Sequence, residues 1–338
     1  MSTILSEKRT LSPWAKGGIG LGAGALLLVL VGLLFPTAAA FFPLVSLWCS
    51  CVLFYGALWV LHTAGVELDF FHRAAIIAFW AGAVLYFYWA LDRRQFIYAW
   101  DYVNYIQKQF NTEAAFALGP VAGFKYIIST FSEDYTNFIT LFTEFPFCLT
   151  AKTGDSYAFA QVFCVLPSLM LMLAGLTIKI GQILEVKNKF WYFIIGFSWV
   201  LTYPFLRMSA MLAQPDWFGL IFAFAILLLT LDYRFEKLEP GRFVLIFLAT
   251  AAIILSRRWY LYFVVATIFP MLSCSLSAVQ SSQNRAKRAL PCAEYATSSC
   301  LVSAPWQQWW SYSGPWSARS WLLTTPTAIR TIMLAALQ

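Results

Sequence analysis

The chain has 338 residues, of which 60% are hydrophobic, 18% aromatic and only 12% charged. Soluble domains carry about 25% charged residues, so this composition excludes an ordinary soluble protein and indicates a multi-span membrane protein. The net charge of +7 does not indicate nucleic-acid binding, because the lysines and arginines fall between apolar runs and form no basic stripe.

The cysteines and histidines indicate no metal site. His62 and His72 are the only histidines in the sequence. The seven cysteines have no metal-binding spacing, and Cys49 and Cys51 lie inside an apolar run, where a cysteine behaves as a small buried apolar residue. We therefore predict no site built from histidine or cysteine ligands.

The apolar runs predict about eight membrane-spanning helices, since one span needs about 20 apolar residues. The predicted spans are residues 17–35, 39–61, 74–91, 157–178, 190–203, 216–231, 243–256 and 259–273. We therefore predict an all-α fold, a polytopic transmembrane helix bundle over residues 1–273. The first run is interpreted as a retained span, because no credible cleavage site follows it.

The last two spans come from dividing one apolar run, 243–273, at Arg257 and Arg258. A single helix would hold both arginines near the bilayer centre, at roughly 2.5–3.5 kcal/mol each on insertion scales. Two short helices put the arginines at a surface, and the mismatch in length costs less. We therefore predict a break at this pair.

The distribution of positive residues predicts a cytoplasmic N-terminus in a multi-pass cell-membrane protein. This orientation puts the following residues inside: Lys8, Arg9, Lys16, Arg73, Lys179, Lys187, Lys189, Arg234, Lys237 and Arg242. The segments 92–156, 204–215 and 257–258 then lie together on the outer side. The segment 92–156 is the long outer loop that we expect to carry the site.

The composition changes near Cys274. From there to residue 338 the chain is rich in serine, tryptophan and alanine, and its hydrophobic periodicity disappears. We expect this tail to be foreign to the fold, as after a reading-frame shift or a truncation; a disordered native tail is the alternative.

Within the outer loop, the stretch 100–110 predicts an interfacial amphipathic helix. Helical spacing puts Asp101, Asn104, Tyr105 and Lys108 on one polar face. Asp101 can serve as the helix N-cap or as a reactive carboxylate, and both roles stay open.

Other polar residues join the predicted outer surface. Arg257 and Arg258 are candidates for a phosphate site, because guanidinium groups bind phosphate in bidentate geometry; ordinary snorkelling is the alternative for them and for Arg93 and Arg94. Asp216 is a helix cap or a site residue. The acids Glu133, Asp134 and Glu144 are typical of solvated helix ends, with Asp134 also kept as a candidate.

A long outer loop that opens with Trp100-Asp101-Tyr102, followed by amphipathic helices and further spans, resembles the GT-C class of membrane glycosyltransferases. Residues 74–273 are similar to the family of protein O-mannosyltransferases and their bacterial relatives that act on lipid A, lipopolysaccharide or cell-wall polymers. That family has an essential acid in its first outer loop, and the resemblance implies that Asp101 is the counterpart. The chain departs from the pattern, since the loop follows the third span and no second acid follows Asp101. No cofactor is predicted, and a divalent metal ion stays open.

The resemblance implies transfer of a sugar from a polyprenyl-phosphate donor to a glycan, lipid or protein acceptor on the outer face, within membrane lipids. Asp101 would be the general base, and Arg257 and Arg258 would stabilise the leaving phosphate. Tyr102, Asn104 and Tyr105 would position sugar hydroxyls. The alternatives are a transporter or flippase-like protein without chemistry, and an inactive remnant.

Overall fold

The structure is a computed structural model that describes residues 12–35, 40–91, 101–133, 136–202, 216–231, 233 and 239–270. Within these ranges the chain is helical and has no strand, which confirms the predicted all-α class. All of the described residues lie within one unit of packed helices. The predicted tail, residues 274–338, lies outside them.

The first half of the described chain contains three long helices and the shorter helices of the outer-loop segment. These are α1 (Pro13–Leu34), α2 (Phe41–Thr63), α3 (Phe70–Leu91), α4 (Asp101–Ala117), α5 (Pro120–Ser129), a 3-10 turn (Thr130–Ser132) and α6 (Thr140–Phe147). The second half contains α7 (Gly154–Cys164), α8 (Leu166–Ile183), α9 (Lys189–Thr202), α10 (Asp216–Thr230), α11 (Pro240–Ser256) and α12 (Tyr260–Pro270).

Four of these helices are long and apolar enough to cross a membrane, namely α1, α2, α3 and α8. The helices α10, α11 and α12 are apolar but shorter, at 10–17 residues. The apolar window of α8 is 61% buried and that of α1 only 6%, so α8 is central and α1 peripheral. The described helices therefore support a membrane protein, while eight spans stay a prediction.

The predicted fourth span, 157–178, is wrong in its bounds. The chain forms α7 up to Cys164 and then a separate helix, α8, which is the one of membrane length. Pro167 lies in the first turn of α8. A proline has no N–H to bond the carbonyl of Phe163, so a continuous helix through this point would lose a hydrogen bond and meet a ring clash.

The predicted break at Arg257 is confirmed. The helix α11 ends at Ser256, Arg257 is extended with φ −165° and ψ 134°, and α12 begins at Tyr260. The two arginines therefore lie between two short helices, as the cost of burying them in one long helix predicts.

The long helices run alternately between two ends of the bundle. At the end that we call the Lys179 end, the Lys179 ammonium donates to the carbonyl of Ala64, just after α2, at 2.8 Å. At the same end Arg242 donates to the carbonyl of Leu229 near the end of α10, at 2.7 Å.

The other end, which we call the Arg258 end, is formed by the opposite termini of these helices and by α4–α7. Arg258 donates there to the carbonyl of Ser132. The hydroxyl of Thr136 donates to the carbonyl of Leu255, at the end of α11. Parts of the segment 92–156 thus contact the break between α11 and α12, and the Arg258 end is the one that carries the predicted site.

Candidate functional site

The helix α4 is described from Asp101 onward and covers the stretch for which the sequence predicts an amphipathic helix. The side chains of Asp101 and Tyr102 lie outside the described residues. Asn104, one turn further along, is exposed. The backbone of α4 therefore gives the position of residue 101, and the orientation of its carboxylate, the predicted base, stays a prediction.

The placement predicted for Tyr105 on the polar face of α4 is wrong, while its role with sugar hydroxyls stays a prediction. Its side chain is 2% exposed and packs against Phe147 and Tyr157. The buried side of α4 continues from Tyr105 through Gln109 to Phe116, at the spacing of one helical face. This face is buried because α6 and α7 pack against it. The helical periodicity of α4 alone does not show which of its faces other helices will cover.

Lys108 connects α4 to the loop before α6. Its ammonium lies 2.6 Å from a carboxylate oxygen of Glu133. The neighbouring Ser132 carbonyl accepts a hydrogen bond from Arg258. Contacts therefore run from the middle of α4 to the break between α11 and α12. Asp101 lies seven residues before Lys108 along α4, about 10 Å at a rise of about 1.5 Å per residue.

Asp216 and Arg257 form an ion pair at the same end of the bundle. Their side chains are 23% and 17% exposed, so water reaches the pair only in part. Asp216 lies in the first turn of α10, where a negative charge also suits the helix dipole. The hydroxyl of Tyr260 donates to the backbone carbonyl of Asp216.

Gly219 makes this close arrangement of α10 and α12 possible. A Cβ atom at position 219 would overlap the ring of Tyr260. The ring therefore occupies the space that any side chain at this position would need. The two short helices therefore pack in direct contact beside Arg257 and Arg258.

Arg257 and Arg258 have different surroundings, although the sequence treats them alike. Arg257 is paired with Asp216, whereas Arg258 is exposed and is followed by Trp259, which is 63% exposed. Both guanidinium groups have partners, since Arg258 donates to the carbonyl of Ser132, so exposure is what distinguishes them, and an incoming anion reaches the more exposed group more easily. Arg258 is therefore the better placed of the two for a phosphate group.

A cluster of buried polar side chains lies between α4 and α6, which the sequence did not predict. We call it the Glu144 cluster; its members are Gln109, Thr112, Asn137, Thr140, Thr143 and Glu144, each no more than 1% exposed. The Gln109 amide donates to Glu144 at 2.5 Å and accepts from the Thr143 hydroxyl at 2.8 Å. The Asn137 amide donates to the hydroxyl of Thr112 at 3.2 Å.

Glu144 was predicted as a solvated helix end, and that prediction is wrong. Burial raises the pKa of its carboxyl group from 4.5 to about 7, against the lowering effect of the Gln109 hydrogen bond. The Glu113 charge adds to the rise and the Lys152 charge opposes it. The apolar neighbours Phe145-Pro146-Phe147 were the sequence signal that this acid lies in a packed segment.

The positions of three further predicted site residues are not described. Arg93, Arg94 and Asp134 lie outside the described residues. Across the described ranges, no three histidine, cysteine, aspartate or glutamate side chains come together as metal ligands would. A cleft of about 180 Å³ opens at the Lys179 end, lined in part by Glu67, His72 and Lys189, and includes no predicted site residue.

Comparison of the chain with protein-family models, with curated proteins and with solved structures finds no match.

Proposed function

We propose that this chain is a membrane glycosyltransferase of GT-C type, which moves a sugar from a polyprenyl-phosphate donor to a glycan, lipid or protein acceptor on the outer face. The Arg258 end faces the outside in this proposal, and the Lys179 end faces the cytoplasm. The short helices α9–α12 cross the membrane together with α1, α2, α3 and α8, with local thinning of the bilayer around them.

The observation that carries the proposal is that the amphipathic helix α4, which includes Asp101, and the exposed Arg258 lie at the same end of a bundle of apolar helices. Lys108 of α4 pairs with Glu133, and the adjacent Ser132 carbonyl binds Arg258. An enzyme that joins an acceptor hydroxyl to a lipid-linked sugar needs a base and an anion-stabilising group on the same side of the membrane.

In the proposed reaction, Asp101 accepts the proton of the acceptor hydroxyl as that oxygen bonds to the anomeric carbon. The bond between the anomeric carbon and the phosphate oxygen breaks, and the phosphate leaves with the electron pair. Arg258 stabilises the charge on the leaving phosphate, and Arg257 keeps the helix break in place through Asp216. Tyr102 and Asn104 are the remaining candidates for contacts to sugar hydroxyls, and Lys108 supports α4 through Glu133.

The transporter alternative gains no support from the buried cations of α8 and α11. Lys179 and Arg242 are 8% and 6% exposed, but each donates to a backbone carbonyl at the Lys179 end. Such contacts tie helix ends together. A transport path would instead place charged side chains along the middle of the spans.

Asp101→Asn tests the proposal. We expect membranes with this variant to contain folded protein but to transfer label from polyprenyl-phosphate sugars at least about a hundredfold more slowly, as for loss of a general base. Glu185→Gln is the control, since it removes an exposed acid just after α8, at the Lys179 end and away from α4. Equal transfer by Asp101→Asn and the unaltered chain would refute the base assignment. No transfer by the unaltered chain with any donor tested would refute the proposed activity.

A further inference from the structure

The cleft at the Lys179 end is a feature that the proposed reaction does not use. It lies where the start of α3, the end of α8 and the start of α9 meet. Charged, polar and aromatic side chains line it, among them Glu67, His72, Gln182, Lys189, Tyr192 and Phe193. Its volume is about 180 Å³, below the roughly 300–1,000 Å³ of sites for drug-sized molecules. The cleft therefore fits a small polar group.

The cleft contains two opposite charges that do not pair with each other. Glu67 and Lys189 are both exposed and both line it. Among the ion pairs of the described residues, none includes either of them. Lys189 is the first residue of α9, whose first turn has no acid, so the ammonium lies at the positive end of the helix dipole. An anion bound between Lys189 and the N-terminus of α9 would offset this cost.

The nearby acid Asp69 is already engaged within its own helix start. One of its carboxylate oxygens accepts the backbone N–H of His72 at 2.8 Å, which caps α3. The same oxygen lies 2.8 Å from Nδ1 of the His72 ring, and that ring packs edge-on against Phe193 with centroids 4.5 Å apart. One carboxylate, on Glu67, and one ammonium, on Lys189, are therefore left to face a ligand.

The cleft lies at the level where lipid head groups meet water. The helix α3, which is long and apolar enough to cross a membrane, starts beside it at Phe70. Large exposed aromatic side chains adjoin the lining residues in the chain, with Phe70 86% and Trp191 57% exposed. Phe71 of α3 and Phe190 of α9 contact each other with ring centroids 4.6 Å apart. Aromatic side chains at the ends of apolar helices are typical of the membrane interface.

We propose that this cleft binds a zwitterion made of a phosphate and a primary ammonium, the chemistry of a phosphoethanolamine lipid head group. The phosphate contacts Lys189 and the N-terminus of α9, and the ammonium donates to Glu67. A simple anion is less suitable, because the Glu67 carboxylate would repel it. A quaternary ammonium is less suitable, because it has no N–H to donate to that carboxylate. The bound head group connects the start of α3 to the start of α9, at the end opposite the proposed chemistry.

The test measures the binding of lipids with identical acyl chains to the purified full chain in a neutral detergent. Binding is followed by the rise in the midpoint of thermal unfolding as the lipid concentration increases. The head groups compared are phosphoethanolamine, phosphocholine and phosphoglycerol. We expect phosphoethanolamine to bind about tenfold more tightly than the other two, the effect of one additional charge-assisted hydrogen bond. Equal binding of the three lipids would overturn the proposal.

Two variants test the two contacts separately. Glu67→Gln should lose the preference for phosphoethanolamine over phosphocholine, and Lys189→Gln should bind phosphoethanolamine about tenfold more weakly. The matched controls are Glu185→Gln and Lys187→Gln, which change exposed residues of the loop between α8 and α9 that are not part of the lining. Both controls should bind like the unaltered chain. A preference that survives Glu67→Gln would overturn the proposal.

Free phosphoethanolamine, added to the same protein in place of the lipid, distinguishes a membrane ligand from a soluble one. We expect it to bind at least about tenfold more weakly than the lipid, because it lacks the apolar contacts of the acyl chains. Equal binding would overturn the assignment to a lipid and would support a soluble zwitterion with the same contacts. These measurements do not use sugar transfer, so their outcome is independent of the proposed function.

Discussion

At the scale of single residues, burial decides which acids of the outer-loop segment are ordinary and which are not. The side chain of Glu133 is 52% exposed beside Lys108, as expected for a solvated surface acid. Glu144 is separated from Glu133 by eleven residues, yet it is 1% exposed and bonded to Gln109. Both are acids in an aromatic-rich stretch of sequence. Their difference arises from the packing of α4 over α6.

The buried position of Glu144 predicts a pH-dependent stability. Its folded-state pKa is raised from 4.5 to about 7, so the folded chain holds the proton more tightly than the unfolded chain. The stabilisation is fully present below about pH 4.5 and is lost as the pH rises to about 7, by about 3 kcal/mol in total. Glu144→Gln should remove this slope.

The measurement is chemical unfolding in detergent from pH 4.5 to pH 8 for both chains. The free energy of unfolding of the unaltered chain should fall relative to that of Glu144→Gln up to about pH 7 and then level off. A difference that is independent of pH would contradict the burial of this carboxyl group.

The candidate site was predicted in part at this scale. Residue type and outer placement select Asp216, Arg257 and Arg258, and the structure pairs Asp216 with Arg257, next to Arg258. The role of these residues in a site stays a prediction. Which arginine pairs with Asp216 depends on a contact between residues that are 41 positions apart in the chain, and no local pattern contains that information. The same holds for Tyr105, which belongs by helical spacing to a polar face and by packing to the core.

At the scale of helices, the apolar runs predict the existence of each long helix well, because the length needed to cross a bilayer is a strong constraint. The bounds of α2, 41–63, differ from the prediction by about two residues. The error at α7 and α8 has a local cause, Pro167, which the hydropathy of the run conceals. The break before α12 is predicted correctly, because two arginines near the bilayer centre would cost too much free energy in a single helix.

The packing of α10 on α12 gives a prediction at this scale. Gly219→Ala puts a methyl group into the ring of Tyr260, whose hydroxyl is held by the Asp216 carbonyl. We expect a loss of about 1–3 kcal/mol, because overpacking must move the ring or part the helices. Thermal unfolding in detergent measures it.

Gly22→Ala is the matched control for this substitution. Nothing lies within 4 Å of a Cβ atom built on Gly22, which is in the middle of α1. Alanine is favoured over glycine in a helix interior by about 0.5–1 kcal/mol, so this variant should be neutral or slightly stabilised. Equal effects at the two positions would contradict the close contact at Gly219.

At the scale of the whole molecule, the alternation of the helices separates two kinds of surface. The Lys179 end carries Lys16, Arg73, Lys187 and Lys189, close to helix termini. Acids are present at both ends, as in the pairs of Asp69 with His72 and of Glu133 with Lys108, but the lysines of the Arg258 end lie on the long segment 92–156, where the rule counts them weakly. This asymmetry is the basis for placing the Lys179 end in the cytoplasm and the proposed chemistry outside.

The side of the membrane that position 104 faces is therefore the central claim. Asn104→Cys and Gln182→Cys, each in a chain without its native cysteines, place one exposed thiol at each end of the bundle. Intact cells are treated with a membrane-impermeant maleimide and compared with broken cells. We predict that the thiol at 104 is labelled in intact cells and the thiol at 182 only after the cells are broken. Labelling of position 104 only in broken cells would contradict the proposed orientation, and with it the transfer of sugar on the outer face.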